Sequence, residues 1–205
     1  MASKSKTKGS TFERDVAKMF NEIYNTNEFS RTFGSGAFVG KSNWNKRQGL
    51  SDEVKTALAG DIITPKWFPL SIECKNYEDT PAYHNLMTED GDSTMDMWLG
   101  KSIFDGINTN MIPCVIFKTT RKGVFVTLPI HIMDYITLDC NYLRYKCFVV
   151  VSLDNFKQHI ANSLRDALVD ENSPLKTEII AFFEEQKQNP QSIVFSLITR
   201  FENGK

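Results

Sequence analysis

Asp61, Glu73 and Lys75 are the residues whose types and spacing suit chemistry. They fall in two short β-prone runs, Asp61–Thr64 and Leu70–Lys75, on either side of a connection bracketed by Pro65 and Pro69. This pattern predicts a hairpin with a five-residue loop. If Thr64 faces Leu70, antiparallel pairing sets Asp61 directly opposite Glu73. Strand alternation then puts Asp61, Ile63, Ser71, Glu73 and Lys75 on one face, and Ile62, Leu70, Ile72 and Cys74 on the better core face. Opposed Cβ atoms lie roughly 4.5–5.5 Å apart, where like charges destabilise a sheet. Two carboxylates that close call for a positive charge between them. A hard divalent cation, which prefers oxygen ligands, is the candidate, and Lys75 adds an ammonium on the same face. The same letters also suit an ordinary lysine–carboxylate ladder. Acid-x-Lys triplets recur at Glu53/Lys55 and Glu185/Lys187, but only Glu73/Lys75 sits in a β-rich run with a second acid across a hairpin.

The elements around the hairpin must position it. Ser10 to Tyr24 predicts a helix, with Phe12, Val16, Met19, Phe20, Ile23 and Tyr24 on one stripe. Glu13 lies within that apolar arc, and a carboxylate buried there without a partner is costly. Ser10-Thr11-Phe12-Glu13 fits a capping box, which is one reason for it; pointing at a metal site is the other. Glu28–Phe33 predicts a strand, followed by Gly34-Ser35-Gly36-Ala37, where glycine lets the backbone approach a ligand. Residues 38–58 form a long connection carrying Lys41, Trp44, Lys46, Arg47 and Lys55. Connections of this length are usually functional or disordered, and its cations suit contact with a phosphate backbone. Lys4, Lys6 and Lys8 in a short basic arm suit a solubilising tail first and phosphate contact second, and Arg31 suits phosphate or an ordinary exposed strand face.

Asp61 followed by Glu73-Cys74-Lys75 resembles the PD-(D/E)XK nuclease signature, with Gly60 where the family name has proline. Lys8-Gly9-Ser10-Thr11-Phe12-Glu13-Arg14 and Ser35-Gly36 sharpen the resemblance toward the archaeal and phage Holliday junction resolvase branch, over roughly residues 8–128. The resemblance implies a restriction-endonuclease-like α/β fold, a mixed sheet flanked by helices. It further implies a metal-dependent endonuclease acting on Holliday junctions or other branched DNA. The alternatives are a restriction- or repair-type nuclease acting on duplex DNA, or a catalytically silent DNA-binding subunit. Glu13, Ser35, Asp61, Glu73 and Lys75 would be the catalytic set. Mg²⁺, with Mn²⁺ substituting, would be held by Asp61, Glu73, the Cys74 backbone carbonyl and Glu13, the last directly or through water. DNA would be met by Lys8, Arg31, Lys41, Lys46 and Arg47, and resolvases of this kind act as homodimers.

The whole chain sets bounds on these expectations. Its 205 residues suffice for a sizeable core, and a net charge of −1 limits DNA binding to local basic patches. The cysteines at 74, 114, 140 and 147 show no zinc-ligand spacing and suit a reduced, intracellular setting, and the resemblance implies the cytoplasm of a bacterial, archaeal or phage-infected host cell. No apolar run reaches membrane-span length, and the N-terminus lacks a signal-peptide core.

Beyond the hairpin, residues 76–92 suggest a solvated acidic loop, and Ser93 to Asn108 a helix capped by Asp92 or Ser93. Ile112–Lys118, Val124–Leu128 and Lys146–Leu153 predict strands, and Pro129–Leu138 a short helix. Three amphipathic helices follow, Asp154–Val169, Pro174–Gln188 and Pro190–Glu202. The expected organisation is a basic arm over 1–9, a nuclease core over 10–153, and a helical extension over 154–205 packed on the core or in a dimer interface.

Overall fold

The computed structural model describes residues 4–32, 60–78, 83–88 and 91–204. Seven strands form one mixed sheet: β1 (Ser30–Arg31), β2 (Ile62–Ile63), β3 (Leu70–Tyr77), β4 (Ile112–Thr119), β5 (Gly123–Pro129), β6 (Leu143–Tyr145) and β7 (Phe148–Ser152). Their spatial order is β1-β2-β3-β4-β5-β7-β6, and every neighbouring pair is antiparallel except β3 with β4. A parallel pair needs a crossover, and a helix over Ser93–Thr109 supplies it. This is the α/β, restriction-endonuclease-like architecture expected from the sequence.

The helices are α1 (Lys4–Tyr24), α2 (Tyr83–Leu86), α3 (Ser93–Thr109), α4 (Leu153–Asn155), α5 (Ala161–Val169), α6 (Leu175–Lys187) and α7 (Ile193–Asn203). Cross-strand register assigns the two sheet faces. Glu73, Val115, Thr127 and Val150 are successive partners across β3, β4, β5 and β7, so they share a face. Helix α3 covers that face, with Trp98 against Phe117 at 5.8 Å between ring centres, and α6 joins it through Phe183 on Phe148 at 5.9 Å. Ile116, Val126 and Val151 share the opposite face, which packs under α1 and residues 153–169. There Phe20 meets Phe68 and Phe156, and the Tyr24 hydroxyl donates to the Ala161 carbonyl at 3.2 Å.

Several boundaries depart from the expectation. Helix α1 begins at Lys4, so residues 4–9 are its first turns and not a separate arm. Ser10 is therefore inside the helix, and the capping box that would have explained Glu13 does not exist. Lys146 and Cys147 are the turn between β6 and β7, not strand residues; Tyr145 pairs with Phe148, and Lys146 takes a left-handed φ of 55°. Residues 76–92 are not one loop, since β3 runs to Tyr77 and α2 follows. The turn after β5 is a short 3-10 helix, Ile130–Asp134. Helix α7 starts at Ile193, where the Ser192 hydroxyl caps the Phe195 N–H, not at Pro190.

Residues 153–169 contain a π-helical turn, Phe156–Ile160. Their apolar positions 156, 160, 164 and 168 step by four, which overshoots a 3.6-residue turn, and the widened turn takes up part of that drift. The C-terminal helices are not one unit. Residues 153–169 pack on the α1 side, whereas α6 and α7 pack on the α3 side. The α3–α7 approach is backbone-close. A Cβ at Gly100 would lie 2.1 Å from the Leu197 carbonyl oxygen.

Candidate active site

The site begins at the β2–β3 hairpin. Ile62 pairs with Ile72, the register expected from Thr64 facing Leu70, and Asp61, one residue outside β2, lies close enough to Glu73 to feel its charge. Asp61 is tied down by its backbone on both sides. Its N–H donates to the Ile72 carbonyl at 2.7 Å, and its carbonyl accepts the Thr32 N–H at 2.9 Å. Gly60 makes this approach possible. Its φ is +70°, and a Cβ there would lie 2.4 Å from the Ile72 carbonyl oxygen, so only glycine fits.

The Asp61 carboxylate accepts the Cys74 N–H through Oδ2 at 2.8 Å. Within a strand the N–H and C=O of one residue point to the same side, so the Cys74 carbonyl also faces the Asp61 edge. The Cys74 thiol is a different matter. Burial pushes its pKa well above the ordinary thiol value, so it stays protonated and is a poor nucleophile.

Glu73 is buried at 4 % exposure, and each of its carboxylate oxygens meets an ammonium. Lys75 donates to Oε1 at 2.6 Å, and Lys101, from α3, donates to Oε2. Lys101 also donates to Oδ2 of Asp105, one turn further along α3, at 3.0 Å. These charges set the protonation states. Burial alone would raise Glu73, but Lys101 and then Lys75 outweigh it and hold the carboxyl well below its usual range. Asp61 moves the other way, raised by burial and then by the charge of Glu73, which Lys101, the Cys74 N–H and Lys75 only partly offset. Burial would lower both lysines; Glu73 overrides it and raises each.

The remaining predicted residues divide by position. Glu13 accepts from Arg31 Nε, and its side chain is only 13 % exposed, so the apolar-arc carboxylate is satisfied by a cation from β1. Lys8 pairs with Glu78 at 3.2 Å on the surface. Ser35, Lys41, Lys46 and Arg47 lie outside the described residues. Among the described residues no three His, Cys, Asp or Glu side chains converge as a metal-binding group. The hairpin thus offers two carboxylates and a backbone carbonyl, a set of hard oxygen donors that suits Mg²⁺ better than a soft metal.

Lys101 escaped sequence reasoning. It sits three residues after Trp98 on the border of the α3 stripe, and with Asp105 at i+4 it looks like an ordinary surface pair. The available signal was a cation flanking the apolar face of the crossover helix, which packs directly on the strand bearing Glu73.

Comparison with known families decides the class. The family model of phage putative PDDEXK endonucleases matches residues 4–166. The chain belongs to that family. The match takes in α1, the hairpin, the crossover and the sheet, and runs past residue 128, where the motif resemblance stopped, into α5. No curated protein and no solved structure matches the chain. The match supports a nuclease of the PD-(D/E)XK superfamily, and α6 and α7 lie beyond the matched residues. No helix among the described residues is long and apolar enough to cross a membrane.

Proposed function

We propose that the protein is a metal-dependent, structure-specific DNA endonuclease that hydrolyses phosphodiester bonds in Holliday junctions or other branched DNA. The observation that carries this is the closeness of the Asp61 and Glu73 carboxylates at the hairpin, with two ammoniums drawn onto Glu73. Asp61, Glu73 and the Cys74 carbonyl would hold Mg²⁺, or Mn²⁺ in its place. The ion supplies an activated water and stabilises charge on the phosphate. In the metal-free protein the Glu73 charge overrides burial and raises the Lys75 pKa. We assign Lys75 to orienting the attacking water and stabilising developing negative charge, in preference to a neutral-amine base role. Glu13, held by Arg31, would hold the ion directly or through a water. Ser35 holds the scissile phosphate. Lys8, Arg31, Lys41, Lys46 and Arg47 contact the DNA backbone, and a homodimer sets two sites across the junction.

The test is cleavage of a labelled immobile four-way junction against matched linear duplex, with Mg²⁺ or EDTA, by wild type and Glu73→Ala. Paired symmetric nicks in the junction, lost with EDTA and in Glu73→Ala by at least about a hundredfold, are expected. Cutting of linear duplex would assign a restriction- or repair-type nuclease instead. Binding without cutting under any metal would leave a DNA-binding subunit.

A further inference from the structure

Glu73 has no oxygen to spare. Lys75 holds Oε1 and Lys101 holds Oε2, inside a site where the carboxylate is almost wholly removed from water. A divalent ion that takes Glu73 as a ligand meets an ammonium already on either oxygen, and repulsion between the like charges favours moving one away. The two lysines differ in where they can go. Among the described residues Lys75 donates to Glu73 alone, while Lys101 already shares its ammonium with Asp105, itself buried at 4 % exposure.

The backbone beneath Lys101 is fixed. Gly100 is pressed against the Leu197 carbonyl of α7, and the first turn of α3 is anchored where Asp96 meets Lys146 at 2.5 Å and Arg200 at 2.7 Å. Any movement of the Lys101 ammonium is thus a side-chain swing over one helical turn. Asp105, at i+4, is its destination.

We infer that Lys101 is an exchange cation: it neutralises Glu73 in the metal-free protein and transfers to Asp105 when a divalent ion binds. It is a positioning residue, and this role rests on the metal-holding role given above to Asp61 and Glu73. The charges agree with it. With all groups ionised, Asp61, Glu73 and Asp105 against Lys75 and Lys101 leave one negative charge. A divalent ion turns that into one positive charge, which the single charge of a phosphodiester cancels. Exchange, not simple addition, keeps Glu73 from repelling Asp61 while the site waits.

The experiment is calorimetric titration of the DNA-free protein with Mn²⁺ at one pH, for wild type, Lys101→Met, Asp105→Asn and Glu73→Ala. Lys101→Met keeps the apolar stem and removes the competing charge, so Mn²⁺ should bind roughly tenfold tighter, the scale of one charge-assisted hydrogen bond released. Asp105→Asn removes the destination, so Lys101 holds Glu73 harder and Mn²⁺ should bind roughly tenfold more weakly. Opposite signs are the expected signature, since a merely structural pair would weaken binding in both variants. Unchanged or weaker binding by folded Lys101→Met overturns the exchange, as does unchanged or tighter binding by Asp105→Asn if Lys101→Met does not fold. Glu73→Ala separates the two levels. If wild-type binding does not depend on Glu73, the metal-site reading fails; if it does and the variants do not diverge, only the exchange fails.

Discussion

Two buried carboxylates border α3, and each is met by two cations, yet they are built for different ends. Asp96 is fully buried and saturated: Lys146 reaches both oxygens at 2.5 Å, Arg200 reaches one at 2.7 Å, and the Tyr145 hydroxyl donates at 2.8 Å. Its partners come from the β6–β7 turn and from α7, so it ties three separate parts of the fold together. Among the described residues Glu73 has the two lysines alone, and near it lies a second acid, Asp61, whose pKa is raised by burial and then by the charge of Glu73. One cluster is closed by more donors than its charge requires. The other gathers three carboxylates, Asp61, Glu73 and Asp105, around two lysines. A buried ion pair by itself says little about function; a cluster of acids left short of positive charge says a good deal.

That contrast can be broken at either end. Asp96→Ala should be the most damaging to folding, because it leaves Lys146 buried without its partner. A loss of about 3–5 kcal/mol in urea unfolding is expected. Glu73→Ala should cost far less stability in the same assay, since Asp61 and Asp105 stand ready to accept the released lysines, although cleavage is lost. Equal destabilisation by the two would erase the distinction.

Gly100→Ala should come next, at about 1–3 kcal/mol, because the added methyl meets the Leu197 carbonyl of α7 at 2.1 Å. Thermal unfolding would register it. An unchanged midpoint would mean that α7 does not bear on α3.

The smallest expected effect is one of pH in EDTA. The Asp61 carboxyl is pushed up from 3.8 to about 7, so between these values the folded protein binds a proton that the unfolded chain has lost. Stability from this group is present at low pH and declines as pH rises toward about 7. Glu73 has the opposite sign. Its carboxyl is held below the ordinary 4.5, so its contribution is present above that value and is lost as pH falls through its lowered folded-state pKa. Urea midpoints from pH 5 to 7 should therefore fall with pH in wild type, and this decline should be much reduced in Asp61→Asn. An equal decline in the variant would assign it to other groups.

Much of this was legible in the chain because it depends on local rules. The expected Asp61–Glu73 opposition rests on strand alternation and the length of one loop; the Ile62–Ile72 pairing has that register, while Asp61 itself lies just outside β2 with its N–H on Ile72. Lys101 was not legible, because an i,i+4 Lys–Asp pair on a helix looks the same whether its outer side meets water or a buried glutamate. The β6 strand was missed for a related reason. Its turn, Lys146-Cys147, lacks the Asn-Gly or Asp-Gly signal of a tight hairpin, and a lysine adopts positive φ there while its ammonium is held by Asp96, fifty residues away in the chain. The capping box at Ser10 failed because α1 simply began earlier.

Gly60 carries a last consequence, for anyone who would tune this protein by family averages. Its backbone is left-handed, at φ +70°, and proline is locked near −65°. The letter that names the superfamily is therefore among those this hairpin cannot accept. Restoring it would pull Asp61 off the Ile72 carbonyl and separate the two carboxylates. A consensus rebuild of the motif would produce a better match and a broken site.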